Sequence, residues 1–332
     1  MIKFIKVLGL SLLYSITIFI SFMGYGCTCN SALSLFSANS KQASFSVHYI
    51  DVNHGDCVLI CFPDGLTVMI DGGKKSTSTF TKINNYFKEY EVDKIDYYII
   101  TQPETEHIGN MLNVLEKVEI GRVYAPLISN IDYFASYKKV VNKLTEKSVP
   151  IVVSEMGQVI SGDNYKLYFL SPLSTEIKES SYNKLNDSKE KTEELINGIS
   201  PILYLEYSGV TFTFSGDANS QEEKRVAEYI KTGFYKTYFG SQFDIGEIDY
   251  YMASNHGDKN NNAIELLKIL RPKNSIISVG GENLNGLPST ETIKRINSIK
   301  LEANIYRTDT CGTISVFVDE LGNQSIALEG TR

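Results

Sequence analysis

Short apolar runs alternate with amphipathic helical stretches from residue 44 onward, so the chain must place strands and helices in separate layers. SFSVHYID, DCVLICF and LTVMID read as three consecutive strands, the second and third joined through the turn Pro63–Gly65. A helix over 77–90 leads to the strand IDYYIIT, and Ile108, Met111, Leu112 and Leu115 fall at helical spacing behind it. GRVYAP, a helix through 133–147, PIVVS and YKLYFLSP complete a first half. The second half repeats the plan. ILYLEYS and VTFTFSG hinge on Gly209, helices over 221–231, 261–270 and 289–300 alternate with IDYYMAS and SIISVG, and ANIYRT, TISVFVD and QSIALE close the chain. Each half mixes hairpins with strand–helix units, so the expected α/β fold is a four-layer αββα sandwich over 44–330, two facing mixed sheets with helices outside.

Upstream, Lys3 and Lys6 precede an apolar run from Val7 to Met23. As a helix that run is roughly 25 Å long, between the core of a signal peptide and a short membrane span. Residues 1–30 read as a targeting segment and 31–43 as a linker. The remainder is expected to be exported, either secreted or held at the extracellular face of the membrane. Simple cleavage, retention as an anchor and lipidation at Cys27 after Gly26 all stay open. Cys57 and Cys61 share a strand candidate that separates them by about 13 Å, too far for a disulfide. With Cys311 they are expected as buried small apolar residues.

The chain has 32 Lys and Arg against 39 Asp and Glu, a formal net charge of -7. No basic field is therefore available to hold a polynucleotide nonspecifically, and such a substrate would need a local basic groove or metal ions. The stretch 174–197 is dense in mixed charge and nearly free of aliphatic residues. A solvated loop is the expectation there, with a mobile cover over a nearby site as the alternative.

Residues 101–110, TQPETEHIGN, fall between the end of a strand and the start of a helix, where α/β chains gather ligands. Glu104, Glu106 and His107 put three donors within four residues, close enough to converge on one ion. Two hard oxygens among them suit manganese, magnesium or calcium at least as well as zinc. The same residues also fit an ordinary helix start, since acids in a first turn favour the helix dipole.

IDVNHGDCVLI, PDGLTVMIDGG, IITQPETEHIGN, VTFTFSGDA, ASNHGD, IISVGGENLNGLPS and YRTDTCGTI occur in this order. Together they resemble the metallo-β-lactamase-like domain of ComEC competence proteins and related hydrolases, over nearly everything after residue 44. The resemblance implies the αββα fold, divalent zinc or manganese between the sheets, and hydrolysis of a phosphodiester or related bond by metal-activated water. It implies Glu104, Glu106, His107, Asp217 and His256 as metal ligands, with Glu106 and Asp217 in catalytic roles. Asp71, Gln102, Asn255 and Asp258 then line the pocket, and Asp56 lies behind the ligands or in a turn. Of four histidines His107 and His256 are the best placed, while His48 lies in the opening strand and His54 in the turn after it.

The site departs from the family pattern. TQPETEHIGN is similar to T-H-P-D-A-D-H-I-G-G, so Gln102, Glu104 and Glu106 stand where His, Asp and Asp are usual. Asn255 and Asp258 replace the first His and the Ser of H-H-G-S, and Leu287 replaces the His of G-H-P-S. Asp-to-Glu keeps the charge and moves the carboxylate by roughly 1 Å, a displacement that can cost on the order of 100-fold in rate. His-to-Gln and His-to-Leu remove donors outright, so one ion or none is expected. Three functions follow: an exported or membrane-tethered metal-dependent hydrolase, a chain that binds a ligand, nucleic acid or partner protein through the same cleft without catalysis, or a purely structural extracellular domain. Carboxylates at the altered acidic positions favour the first, and the lost imidazoles favour the second.

Overall fold

The alternation of side chains along the first strand sets the layers. In β1 (Phe45–Tyr49) every residue is buried, so both faces are covered. Phe45 stacks on Tyr207 at 4.3 Å and meets Phe212 at 5.6 Å, both from the opposing sheet, while His48 faces the other way onto Tyr86 at 5.2 Å. The computed structural model describes residues 45–128, 131–174, 189–281, 286–299 and 303–330. The expected targeting segment and linker, and most of the charged stretch 174–197, lie outside the described residues.

β1 belongs to an eight-stranded sheet with β2 (Val58–Cys61), β3 (Thr67–Ile70), β4 (Lys94–Ile99), β5 (Glu119–Ala125), β6 (Ile151–Val153), β14 (Ile314–Val318) and β15 (Gln324–Leu328), in the order β15-β14-β1-β2-β3-β4-β5-β6. Pairing is antiparallel from β15 to β3 and parallel from β3 to β6. The second sheet runs β13-β12-β11-β10-β9-β8-β7, from β7 (Val159–Ser161), β8 (Tyr165–Phe169), β9 (Leu203–Tyr207), β10 (Val210–Phe214), β11 (Tyr250–Met252), β12 (Asn274–Ile277) and β13 (Asn304–Arg307). It too is half parallel, β10 to β13, and half antiparallel.

Every parallel pair needs a crossover, and helices supply them. On the first sheet these are α1 (Thr77–Glu89), the short α2 (Thr105–Ile108) with α3 (Met111–Lys117), and α4 (Ala135–Glu146). Ile83, Phe87, Met111, Leu115, Val140 and Leu144 bury their apolar stripes against it. α5 (Lys189–Asn197) precedes β9. On the second sheet α6 (Ser220–Thr232), α8 (Ile264–Leu270) and α9 (Thr290–Ile299) do the same through Val226, Leu266, Leu270 and Ile296, with α7 (Lys236–Phe239) and α10 (Thr308–Cys311) as single turns. Between the sheets, Phe62 stacks on Tyr165 at 3.8 Å and Tyr124 meets Phe169 at 4.9 Å. Such pairs are worth about 0.5–1.5 kcal/mol each beyond the area they bury. The chain is an αββα sandwich, as expected.

Four details differ from the expectation. β7 carries no strong strand signal but pairs with β8 over Val159 to Ser161. The last part of the charged stretch is helix, not loop, because KEKTEELIN is built of good helix formers. α8 starts three residues later than expected, since Asn261 and Asn262 are used by the preceding loop. Cys311 is buried but disulfide-bonded, and its partner is neither Cys57 nor Cys61, which are free thiols. No described helix is long and apolar enough to cross a membrane.

Candidate metal centre

The carboxyl ends of parallel strands from both sheets meet at one rim of the sandwich, and five of them deliver a polar residue there. Asp71 follows β3 and Thr101 follows β4, while Asp217 follows β10, His256 follows β11 and Ser278 follows β12. α2 sets Glu106 and His107 side by side at the start of a crossover.

His107 lies between two carboxylates. Its Nδ1 is 2.9 Å from Asp71 Oδ2 and its Nε2 is 3.1 Å from Asp217 Oδ2. Asp71 is completely buried and fixed in turn by the Thr101 backbone N–H at 2.9 Å. Burial alone would lower the His107 pKa, but Asp217 and Asp71 outweigh it and raise it well above the usual imidazole value.

His256 is held in a costlier way. Asn255, His256 and Gly257 all have positive φ, at 47°, 52° and 81°, and the two that carry Cβ atoms are strained there. Asn262 clasps the loop by accepting from the Ser254 N–H at 2.9 Å and donating to the Ser254 carbonyl at 3.0 Å. The reward is orientation: His256 Nδ1 donates to the Ser278 carbonyl at 2.9 Å, which leaves Nε2 facing Asp217. Burial lowers the His256 pKa, but Asp217 and Asp56 overcome it and the net shift is upward.

Asp217 Oδ1 and His256 Nε2 are 3.8 Å apart, and both are buried with no hydrogen-bond partner. Leaving two such atoms unsatisfied is costly unless something occupies the gap. Glu106, His107, Asp217 and His256 each offer a ligand atom, and these all lie within 4.8 Å of one another. Two carboxylates and two imidazoles form a donor set that fits zinc or manganese. The residues present therefore fit one divalent cation.

Of the expected site residues, these four are brought together. Glu104 is not in that group; it lines the cleft above it, where burial and then the Glu106 charge raise its carboxyl to about 7. Gln102 is fully buried; its NH2 donates to Asn197 Oδ1 at 2.7 Å, and its Oε1 has no hydrogen-bond partner. Asn255 and Asp258 line the cleft, and Asp71 stands behind His107. Asp56 is also at hand, 3.5 Å from His256 Nδ1, its carboxyl raised to about 6 by burial against the opposing pull of His256 and His107.

His54 belongs to the site, although its sequence position marks only a turn after the first strand. Its Nε2 is 2.9 Å from Glu106 Oε2, and its ring lies 4.7 Å from that of His256. Burial pushes the Glu106 carboxyl up, but the His54 hydrogen bond and the His107 and His256 charges bring it down to about 2. Gly55 makes this approach possible: at φ 119°, a Cβ there would sit 2.1 Å from the Glu106 carbonyl oxygen. The only signal in the sequence was a histidine beside that glycine. His48, by contrast, is buried away from the cleft between Ser46 and Ser315.

Glu106, Asp217 and His256 line the floor of an open cleft of about 560 Å³, and His107 is buried behind them. Glu104, Glu106, Glu193, Asp217 and Asp258 line it, with Asn197 and Asn255, and none of its described lining residues is Lys or Arg. The acids at the floor are thus paired with histidines and not capped by side-chain cations.

No family model matches the chain, and no curated protein matches it. Solved structures do resemble it. The diiron β-hydroxylase CmlA from Streptomyces venezuelae is 15% identical with a TM-score of 0.47, over 82% of this chain and 54% of its own. This chain thus spans about half the length of that enzyme. The metallo-β-lactamase fold protein YhfI from Bacillus subtilis is 10% identical with a TM-score of 0.45, over 85% of this chain and 100% of its own. A diphosphatase of the PhnP family is 12% identical with a TM-score of 0.42, over 86% and 100%. Independently of these likenesses, the chain's own two mixed sheets, outer helices and rim cleft form the αββα sandwich implied by the sequence resemblance to metallo-β-lactamase-like domains.

Proposed function

We propose that the chain is a metal-dependent hydrolase whose single divalent cation is held by Glu106, His107, Asp217 and His256, with a phosphodiester or related ester as substrate. The observation that carries this reading is the pair of buried, partnerless atoms, Asp217 Oδ1 and His256 Nε2, at the floor of an open cleft. A divalent cation there supplies Lewis acidity toward water and toward a substrate oxygen. Asp217 reaches both histidines, one through each oxygen, and so sets the spacing of the donors. Asp71 and the Ser278 carbonyl orient the two rings. Glu106 offers one oxygen toward the donors, 4.0 Å from His107 Nε2, and the other to His54. It is therefore placed to orient a water beside the cation, with its other oxygen fixed by His54.

A second reading, ligand or partner binding without catalysis, draws on Gln102, a neutral amide whose NH2 donates to Asn197 Oδ1 while its buried Oε1 has no hydrogen-bond partner. Export, with or without a membrane tether, is part of the proposal; the lysine-flanked apolar run supports it, and so does the disulfide at Cys311, a bond that persists in oxidising compartments. The test is cleavage of bis(p-nitrophenyl) phosphate by the purified chain with added manganese or zinc. Turnover that is abolished by a chelator, restored by the metal and lost in His107→Ala supports the hydrolase. A correctly folded, metal-loaded chain that turns over no diester or carboxylic ester leaves the binding reading alone.

A further inference from the structure

His256 is presented by a segment that cannot hold its own shape. Between β11 and α8, Asn255, His256, Gly257 and Asn262 all have positive φ, and three of the four are not glycine, for which that backbone is costly. Such a segment persists only where its surroundings fix it. On one side α6 does so through Glu223 Oε2, which accepts from the Ala263 N–H at 2.8 Å. On the other side stands α9, which does more. At its start the Ser289 N–H donates to the Gly257 carbonyl at 3.0 Å, and Thr292 Oγ1 donates to the Asp258 carbonyl at 2.8 Å. Three residues further on, Arg295 Nη2 donates to the Lys259 carbonyl at 3.0 Å, and Nη1 donates to the carbonyls of Asn261 and Asn262, the latter at 3.0 Å. The segment also lies directly against the approach to α9, since a Cβ on Gly257 would sit 2.6 Å from Pro288 Cβ.

Arg225, Arg271 and Arg307 each pair with a carboxylate, whereas Arg295 forms no ion pair among the described residues and gives its guanidinium to three carbonyls of one segment. A planar fork of fixed donors suits that task, and an ammonium on a flexible stem does not. Hydrogen bonds from a charged donor are also roughly twice as strong as those between neutral groups. We propose that Arg295 is a positioning residue for His256: its guanidinium fastens the carbonyls of Lys259, Asn261 and Asn262 to α9, and this keeps His256 Nε2 turned toward Asp217. Arg295 does not line the cleft and acts only through the segment it holds. The proposal rests on the metal reading only in taking His256 as a ligand; the placement of the ring is a property of the metal-free chain as well.

The experiment compares the full chain with Arg295→Ala, Arg295→Lys and Ile296→Val, the last at a core position of the same helix. Two quantities are read: zinc affinity, by competition with a coloured chelator, and, in the metal-free chain, the NMR signal of the His256 Nδ1 proton that the Ser278 carbonyl accepts. Arg295→Ala is expected to bind zinc about 10- to 100-fold more weakly and to lose the sheltered proton signal. Arg295→Lys keeps the charge without the fork, so it is expected to recover little of either, and it carries the test should Arg295→Ala not fold. Ile296→Val is expected to lower stability and leave both quantities as in the parent chain. Parent-like affinity and proton signal in a folded Arg295→Ala, full recovery in Arg295→Lys, or equal losses in Ile296→Val would overturn the proposal. A parent chain that takes up no zinc sinks the hydrolase reading, and the proton signal then decides the positioning role alone.

Discussion

His107 shows how one neighbouring atom decides what a site residue can do. Asp71 accepts at Nδ1, which keeps Nε2 as the nitrogen presented to Asp217 and to a cation. In Asp71→Asn the side-chain oxygen is retained by the Thr101 N–H, and an amide N–H is set against Nδ1 instead. The ring then carries its proton on Nε2, where a ligand must be bare. Zinc affinity is expected to fall by about 10- to 100-fold with little change in fold, measured by competition with a coloured chelator. Unchanged affinity would mean that His107 does not ligate through Nε2. The sequence made His107, Asp217 and His256 legible because each sits in a short motif at a strand end. It did not disclose His54, whose role depends on a loop meeting a helix 52 positions later. Nor did it show that Gln102 had turned to Asn197, since nothing local marks that partner.

Loops and helices carry the next set of consequences. The β1–β2 loop presses on α2 at Gly55, with its base pinned by Lys82, which donates to Asp51 Oδ2 at 2.7 Å and to the Asp51 carbonyl at 2.9 Å. Gly55→Ala must push α2 away and adopt an unfavourable φ, so a loss of at least about 2 kcal/mol is expected together with weaker metal binding. Denaturation and metal titration of that variant check both. Behind the His256 loop, Tyr251 has one hydroxyl hydrogen and two acceptors in reach, Asn262 Oδ1 at 2.9 Å and Glu223 Oε1 at 3.3 Å. A protonated Glu223 resolves this by donating back to Tyr251, and burial raises its carboxyl to about 8 from a reference of 4.5. The folded chain then holds a proton that the unfolded chain has released above 4.5, so stability from this group falls as pH rises from about 4.5 to 8. Glu223→Gln imitates the neutral acid and should remove that slope, roughly 1 kcal/mol per pH unit, in urea denaturation at pH 5 and pH 8. A slope identical to the parent chain's would show that Glu223 is ionised. Most of these elements were readable from periodicity. α5 and β7 were not, because a charge-rich helix and a three-residue edge strand carry little apolar pattern.

At the scale of the molecule, the αββα layering follows from strands buried on both faces with amphipathic helices between them, and that much was plain in the sequence. The site was harder to foresee because it is assembled across the two sheets: Glu106 and His107 come from the crossover after β4, and Asp217 and His256 follow β10 and β11. A cation gripped by all four ties the sheets at their rim, and hydrolysis by this chain depends on it. The measurement that bears on this most directly is the number of zinc or manganese ions retained per chain after exhaustive exchange into metal-free buffer, in the parent and in His256→Ala and Asp217→Asn. About one ion per parent chain, lost in both variants while their far-ultraviolet spectra stay unchanged, is the expected result. A parent chain that is folded and takes up neither metal at millimolar concentration would contradict the account.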